Sequence, residues 1–147
     1  MGSHQLPTLV LIVTFCFTLV ALLLYLQTLQ NALKNCAPAS RTMKPGYVWL
    51  VAIPAFGLLW HFVVVLNIAK SLRNEFARLG RPCSESAPGQ NVGLAASACN
   101  CCIFIPVIGG FAAIVGLVSS IFYWKRIADY SRYLEEHQEI TPVSPVA

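Results

Sequence analysis

The segment SAPGQNVGLAASACNCCIFIPVIGGFAAIVGLVSSIFYW, residues 86–124, contains not one Asp, Glu, Lys or Arg. As one straight helix it would measure roughly 58 Å, about twice the hydrocarbon thickness of a bilayer, so a single span cannot use it all. Near its middle stands Ile105-Pro106-Val107-Ile108-Gly109-Gly110. The proline removes a backbone donor and the paired glycines permit a tight reversal, so the segment reads as a helical hairpin in a small multi-pass membrane protein.

The rest of the composition points the same way. Of 147 residues, 56% are hydrophobic and only 11% are charged. A soluble domain carries about 25% charged residues, so this chain has too little polar surface to cover a globule in water. The formal charge is +4, and every Lys and Arg lies outside the apolar runs. That distribution suits anionic headgroups and leaves no basic run long enough for a nucleic-acid patch. The expected partner is the lipid bilayer, with a membrane-protein partner or a second copy of the chain beside it, and no nucleic acid.

Residues 6–29 form an apolar run of spanning length, without a basic region before it or a small-x-small cleavage site after it, and read as a retained first span. Residues 31–46 carry Lys34, Arg41 and Lys44 with Pro38, Pro45 and Gly46, a loop. Residues 47–69 are again uncharged, with Tyr47 and Trp49 where an interfacial aromatic belt would stand, and read as the second span, kinked at Pro54. Past it, Ile68, Leu72, Phe76 and Leu79 keep one helical face while Lys70, Arg73, Arg78 and Arg81 mostly fall elsewhere, until Gly80 and Pro82 stop the helix. The third span is expected over 91–106 and the fourth over 110–124, followed by a helical extension to Glu136 and a disordered tail over 137–147. The whole of 1–136 is one helical membrane domain.

Four spans are favoured over three by the positive-inside rule. They group Lys70, Arg73, Arg78 and Arg81 with Lys125, Arg126 and Arg132 against Lys34, Arg41 and Lys44. Both termini are then cytoplasmic, and Cys36 and Cys83 lie on opposite sides. Cys16, Cys99, Cys101 and Cys102 fall in apolar segments, so no structural disulfide is expected. A weak internal echo accompanies this layout: Ile53-Pro54-Ala55-Phe56-Gly57 leads to Ile68-Ala69 and Arg73, and Ile105-Pro106-Val107-Ile108-Gly109 leads to Ile127-Ala128 and Arg132. It suggests a tandem pair of hairpins.

Small residues repeat every four positions at Gly89, Gly93, Ser97 and Cys101, and again at Ala112, Gly116 and Ser120. They read as seams where helix backbones approach closely. The sharpest chemical candidate is His61 with Cys99 and Cys102, at matching depth, able in principle to take Zn or Cu(I) or to undergo thiol redox chemistry. Cysteine also packs as a small apolar residue, and a His61 hydrogen bond to a neighbouring helix, through Asn100, is the plainer reading. Thr14, Thr18, Ser119 and Ser120 read as groups bonding helix backbone. Outside the apolar zone, Lys70, Arg73, Arg78, Asp129 and Arg132 form a candidate cytoplasmic interaction face, with Arg73 and Arg78 set to meet Asp129, Glu135 or Glu136. No nucleotide loop, nucleophile elbow or paired-carboxylate motif occurs.

Met43-Lys44-Pro45-Gly46-Tyr47-Val48-Trp49-Leu50, with Ile53-Pro54, Trp60-His61-Phe62, Ile68-Ala69-Lys70-Ser71-Leu72 and Tyr123-Trp124-Lys125-Arg126-Ile127-Ala128, resembles small multi-pass bacterial membrane proteins of unknown function. The resemblance covers residues 43–134. It implies a bacterial inner-membrane setting and no particular activity, and the cysteine cluster is not part of it. The expectation is therefore a non-enzymatic interaction or accessory subunit of a membrane complex. A thiol and histidine metal or redox protein and a small oligomeric channel are the alternatives.

Overall fold

An uncharged run of leucine, valine and alanine has one low-energy solution in an apolar medium: a helix that satisfies its own backbone. The computed structural model describes residues 5–83, 85–103, 105 and 107–140. Within them lie α1 (Gln5–Lys34), a 3-10 helix (Pro45–Ala52), α2 (Phe56–Arg78), α3 (Gln90–Cys102) and α4 (Gly109–Ile140), and no strand. Three helices, α1, α2 and α4, are long and apolar enough to cross a membrane. Of the expected disordered tail over 137–147, residues 137–140 instead continue α4, and 141–147 lie outside the described residues.

The long helices all run the same way. Tyr25 of α1 meets His61 of α2, and twelve residues on, Ala37 N–H donates to Glu75 Oε2 over 3.0 Å. Trp124 Nε1 of α4 donates to Thr28 over 2.8 Å, and Ser131 further along meets Asn35 at 3.0 Å. The chain returns between them by two shorter segments. Residues 37–53 climb back along α2: the Ser40 carbonyl accepts from Asn74, Thr42 bonds Asn67 and Ser71, and the Tyr47 carbonyl accepts from Trp60. α3 does the same further on, with Ser97 against His61 and Gly93 against Val65 and Tyr123.

These helix directions differ from those of the expected four-span layout. Residues 47–69 are not one kinked helix but a 3-10 segment, a reversal and the start of α2. Pro54 is the reversal rather than a kink, because Ala55 adopts φ 61° and Gly57 N–H closes the turn on the Ile53 carbonyl at 2.7 Å. A Cβ on Gly57 would collide with the Val51 carbonyl, so only glycine permits the approach. The second turn shares two of these features: Gly109 N–H bonds the Ile105 carbonyl at 2.7 Å, and a Cβ there would collide with the Ile103 carbonyl. In both copies of the echo the glycine thus closes on the isoleucine carbonyl four residues earlier, at the start of a long helix. The third expected span, 91–106, is helical over 91–102, and the whole of α3, thirteen residues, measures about 20 Å, short of a roughly 30 Å hydrocarbon layer.

The packed core lies toward the C-terminal halves. Leu26, Leu29 and Leu33 of α1 interlock with Val64, Val65, Ile68 and Leu72 of α2 and with Tyr123, Ile127 and Leu134 of α4. The N-terminal half of α1 stands clear, with Leu9, Leu11, Phe15 and Phe17 all exposed. Past Arg78, Gly80 takes φ 62° and Arg81 N–H reaches back to the Phe76 carbonyl at 3.0 Å, a glycine C-cap that ends α2 where the sequence expects it to stop.

Candidate functional site

The parallel bundle brings one polar side chain from each of three helices together within otherwise apolar packing. α2 supplies His61, α1 supplies Tyr25 and α3 supplies Ser97. His61 Nε2 lies 2.6 Å from the Tyr25 hydroxyl and Nδ1 lies 2.6 Å from Ser97 Oγ. Ser97 also donates to the Gly93 carbonyl at 2.9 Å. A carbonyl only accepts, so the single Ser97 proton is committed to Gly93, and His61 Nδ1–H must donate to Ser97. Nε2 is then the acceptor for the Tyr25 hydroxyl. Every proton in this relay has an acceptor, and Tyr123 flanks it edge-on, its ring 6.3 Å from that of His61. Buried polar groups held this way fix helix register.

The relay forms the floor of an apolar groove of about 620 Å³, bounded by Phe17 of α1, Leu58 of α2 and Leu117 and Trp124 of α4. Asn100 and Ser120 also reach it. Such a volume lies within the usual range for small-molecule sites, and the side chains are mostly apolar with a few convergent polar groups.

The structure does not assemble His61, Cys99 and Cys102 into a ligand set: both His61 nitrogens are taken, and among the described residues no group of three or more His, Cys, Asp or Glu is placed to hold a metal. The His61 partner is Ser97 rather than Asn100. Cys99 and Asn100 instead pack on α4, where a Cβ on Gly116 would lie 3.1 Å from Cys99 Cβ and 3.0 Å from Asn100 Oδ1.

The small-residue seams face inward. A Cβ on Gly93 would come within 2.6 Å of Val65 and 2.8 Å of Tyr123, and Gly89 caps α3 against Tyr123 and Ile127. Ala112 is buried, and Cys101 and Ser120 are half-buried. Thr18 bonds the Thr14 carbonyl at 2.8 Å.

At the charged end, Lys70, Arg73, Asp129 and Arg132 are exposed. The expected cross-helix ion pairs do not form there. Arg78 pairs with Glu75 one turn back at 2.5 Å, Arg126 pairs with Glu85, and the space between α2 and α4 is filled by Phe76 stacked on Tyr133, ring centroids 5.7 Å apart. Glu75 is fully buried. Its carboxylate ties Ala37 and Arg78 together, and Arg41 seals the same corner by donating to the Cys36 and Lys34 carbonyls. Cys36 is enclosed in that corner, and burial first, then the neighbouring Glu75 charge, pushes its thiol up to about 12. Cys83, beside Phe76 and Tyr133, stands at the same end of the bundle as Cys36.

Tyr25 and Glu75 make polar contacts between helices that sequence reasoning passed over. Tyr25 had one signal, a lone phenol deep in an aliphatic run, where a hydroxyl needs a partner. No protein-family model, curated protein or solved structure matches this chain.

Proposed function

We propose that this is a non-enzymatic integral membrane protein, an accessory subunit anchored by α1 and presenting all its charge on one face of the bilayer. The observation that carries the reading is the pairing of direction with charge. α1, α2 and α4 run parallel, and all ten Lys and Arg sit at or beyond their C-terminal halves. α1 is uncharged from Gln5 to Leu33, about 43 Å and more than enough to cross. The uncharged parts of α2 and α4, residues 56–69 and 109–124, measure only about 21 and 24 Å.

These lengths favour one full crossing with two hairpins that enter from the charged side and turn back inside the bilayer, in place of four spans. Backbone that turns at that depth needs its polar groups satisfied, and the Gly57 and Gly109 N–H groups find acceptors in the Ile53 and Ile105 carbonyls. The positive-inside rule makes the charged face cytoplasmic, which sets the N-terminus across the membrane from it rather than beside it. In the bacterial inner membrane that the resemblance implies, Lys70, Arg73 and Arg132, exposed and in no ion pair among the described residues, are the groups offered to a partner.

Photo-crosslinkers placed at the exposed Ala77 and Glu136, beside the basic residues, and at Leu11 as a control, test the reading in native membranes. A defined protein adduct from the charged face, lost in the Lys70→Gln/Arg73→Gln/Arg132→Gln background, supports it. Adducts to lipid alone at all three positions would overturn it.

A further inference from the structure

We infer that the groove above Tyr25, His61 and Ser97 is a binding site for an uncharged lipid with one apolar chain and a compact head carrying a hydroxyl or carbonyl. The inference concerns a different face from the one proposed to meet a partner and stands independently of it.

Three observations select this chemistry. No Asp, Glu, Lys or Arg lines the groove, so it offers nothing to balance a phosphate or carboxylate. An anionic head buried there without a counter-charge would be strongly disfavoured. Second, Asn100 and Ser120 both reach the groove and neither side chain has a hydrogen-bond partner among the described residues. In water they would be solvated, but beside hydrocarbon an unpaired amide or hydroxyl is costly, so the site calls for a ligand atom that accepts from Asn100 Nδ2 and Ser120 Oγ. The Tyr25 oxygen, having given its proton to His61, still has lone-pair capacity for a ligand hydroxyl.

Third, the groove is open along α1. Phe17 and its neighbours Val13 and Val20 are exposed, so a chain can lie along this helix without leaving an apolar surface. Gly116 has a part in the arrangement. Its missing side chain is what lets Asn100 lie against α4, since a Cβ would stand 3.0 Å from Asn100 Oδ1. A larger residue there would push the amide out of its place.

The test uses full-length protein in nanodiscs with diazirine-bearing geranylgeraniol, a diazirine-bearing prenyl benzoquinone, diazirine-bearing palmitate and a diazirine-bearing phosphatidylglycerol. The first two share the neutral head and differ in hydroxyl against carbonyl, so their comparison separates the two sources. At least one neutral probe is expected to label groove residues such as Phe17 or Leu117, with unlabelled ligand of the same kind competing. Asn100→Leu/Ser120→Ala should weaken that competition about tenfold, the effect of losing two modest hydrogen bonds. Ala21→Trp, which fills the groove, should abolish the labelling, whereas Leu11→Trp on the open side of α1 should not. Thermal melting of each variant checks that it is folded, and His61 remains untouched in all of them. Equal groove labelling by phosphatidylglycerol or palmitate, or labelling insensitive to both Asn100→Leu/Ser120→Ala and Ala21→Trp, would overturn the inference.

Discussion

Enlarging Gly93 to leucine, compared with the same change at Gly110, isolates the packing on which the bundle depends. Both glycines lie in helices, so both substitutions gain a similar helix propensity, and that contribution cancels in the comparison. What differs is the space. A Cβ on Gly93 would meet Val65 Cγ1 at 2.6 Å and Tyr123 Cε2 at 2.8 Å, whereas Gly110 has nothing within 4 Å. Val65 and Tyr123 are themselves pinned, at 0% and 1% exposure, so neither can swing aside. Overpacking of a rigid core typically costs about 1–3 kcal/mol, and leucine adds further carbons beyond the first clash, which puts the difference at about 3 kcal/mol. For a chain of this size that is roughly 6–12 °C in Tm. Thermal unfolding in one detergent, followed by circular dichroism, reads it directly. If the Gly93→Leu and Gly110→Leu proteins melt within about 2 °C of each other, α3 is not wedged between α2 and α4 as described, and the seams must face another molecule.

Other perturbations have equally definite outcomes. Tyr25→Phe strands His61 Nε2 and should cost about 1–3 kcal/mol, while adding His61→Leu should cost less than the sum of the two single changes; additive costs in a double-mutant cycle would mean that the two side chains do not interact. Glu75→Ala leaves the Ala37 N–H without its acceptor and should cost about 1–3 kcal/mol, whereas Glu135→Ala, on the exposed face, should fall within about 0.5 kcal/mol of the parent; equal melting of the two variants would deny Glu75 its structural role. Cys36, raised from an ordinary value of 9.0 to about 12, holds its proton in the folded state. Its contribution to stability is therefore complete below pH 9 and lost as the pH rises toward 12. At pH 8 an alkylating reagent should modify Cys36 only after unfolding, and mass spectrometry showing rapid modification of the folded protein would contradict its burial.

Much of this architecture could be read from residue types, and its failures have physical causes. Charge-free runs identified the apolar helices because a single segment satisfies its own backbone in hydrocarbon only as a helix. The recurrence of Ile-Pro-x-x-Gly marked both turns. Direction was harder, because proline inside an apolar run is compatible with a kink or with a reversal, and the two differ only in whether the flanking backbone closes on Gly57. Length was the overlooked signal: residues 56–69, once separated from 47–52, leave an uncharged stretch of α2 only about 21 Å long. The alignment of His61 with α3 was legible from depth, but the register was not. Ser97 rather than Asn100 or Cys99 meets the imidazole, a difference of less than one turn that side-chain packing alone decides. The charged collar failed for a related reason, since Phe76, Tyr130 and Tyr133 on the facing stripes bury better between α2 and α4 than charges that would have to shed water.

The central claim is that the two connections, after α1 and after α2, lie at the same end of a parallel bundle. It is tested most directly in a cysteine-free background by introducing Lys44→Cys, Ser86→Cys and Val107→Cys one at a time in sealed, oriented vesicles and adding a membrane-impermeant thiol reagent to either side. The account predicts that the first two sites label from one and the same side, and that the third, at the 95% exposed tip of the α3–α4 turn, resists the reagent from both sides because lipid surrounds it. Labelling of Lys44→Cys and Ser86→Cys from opposite sides would contradict the parallel bundle and restore four alternating spans.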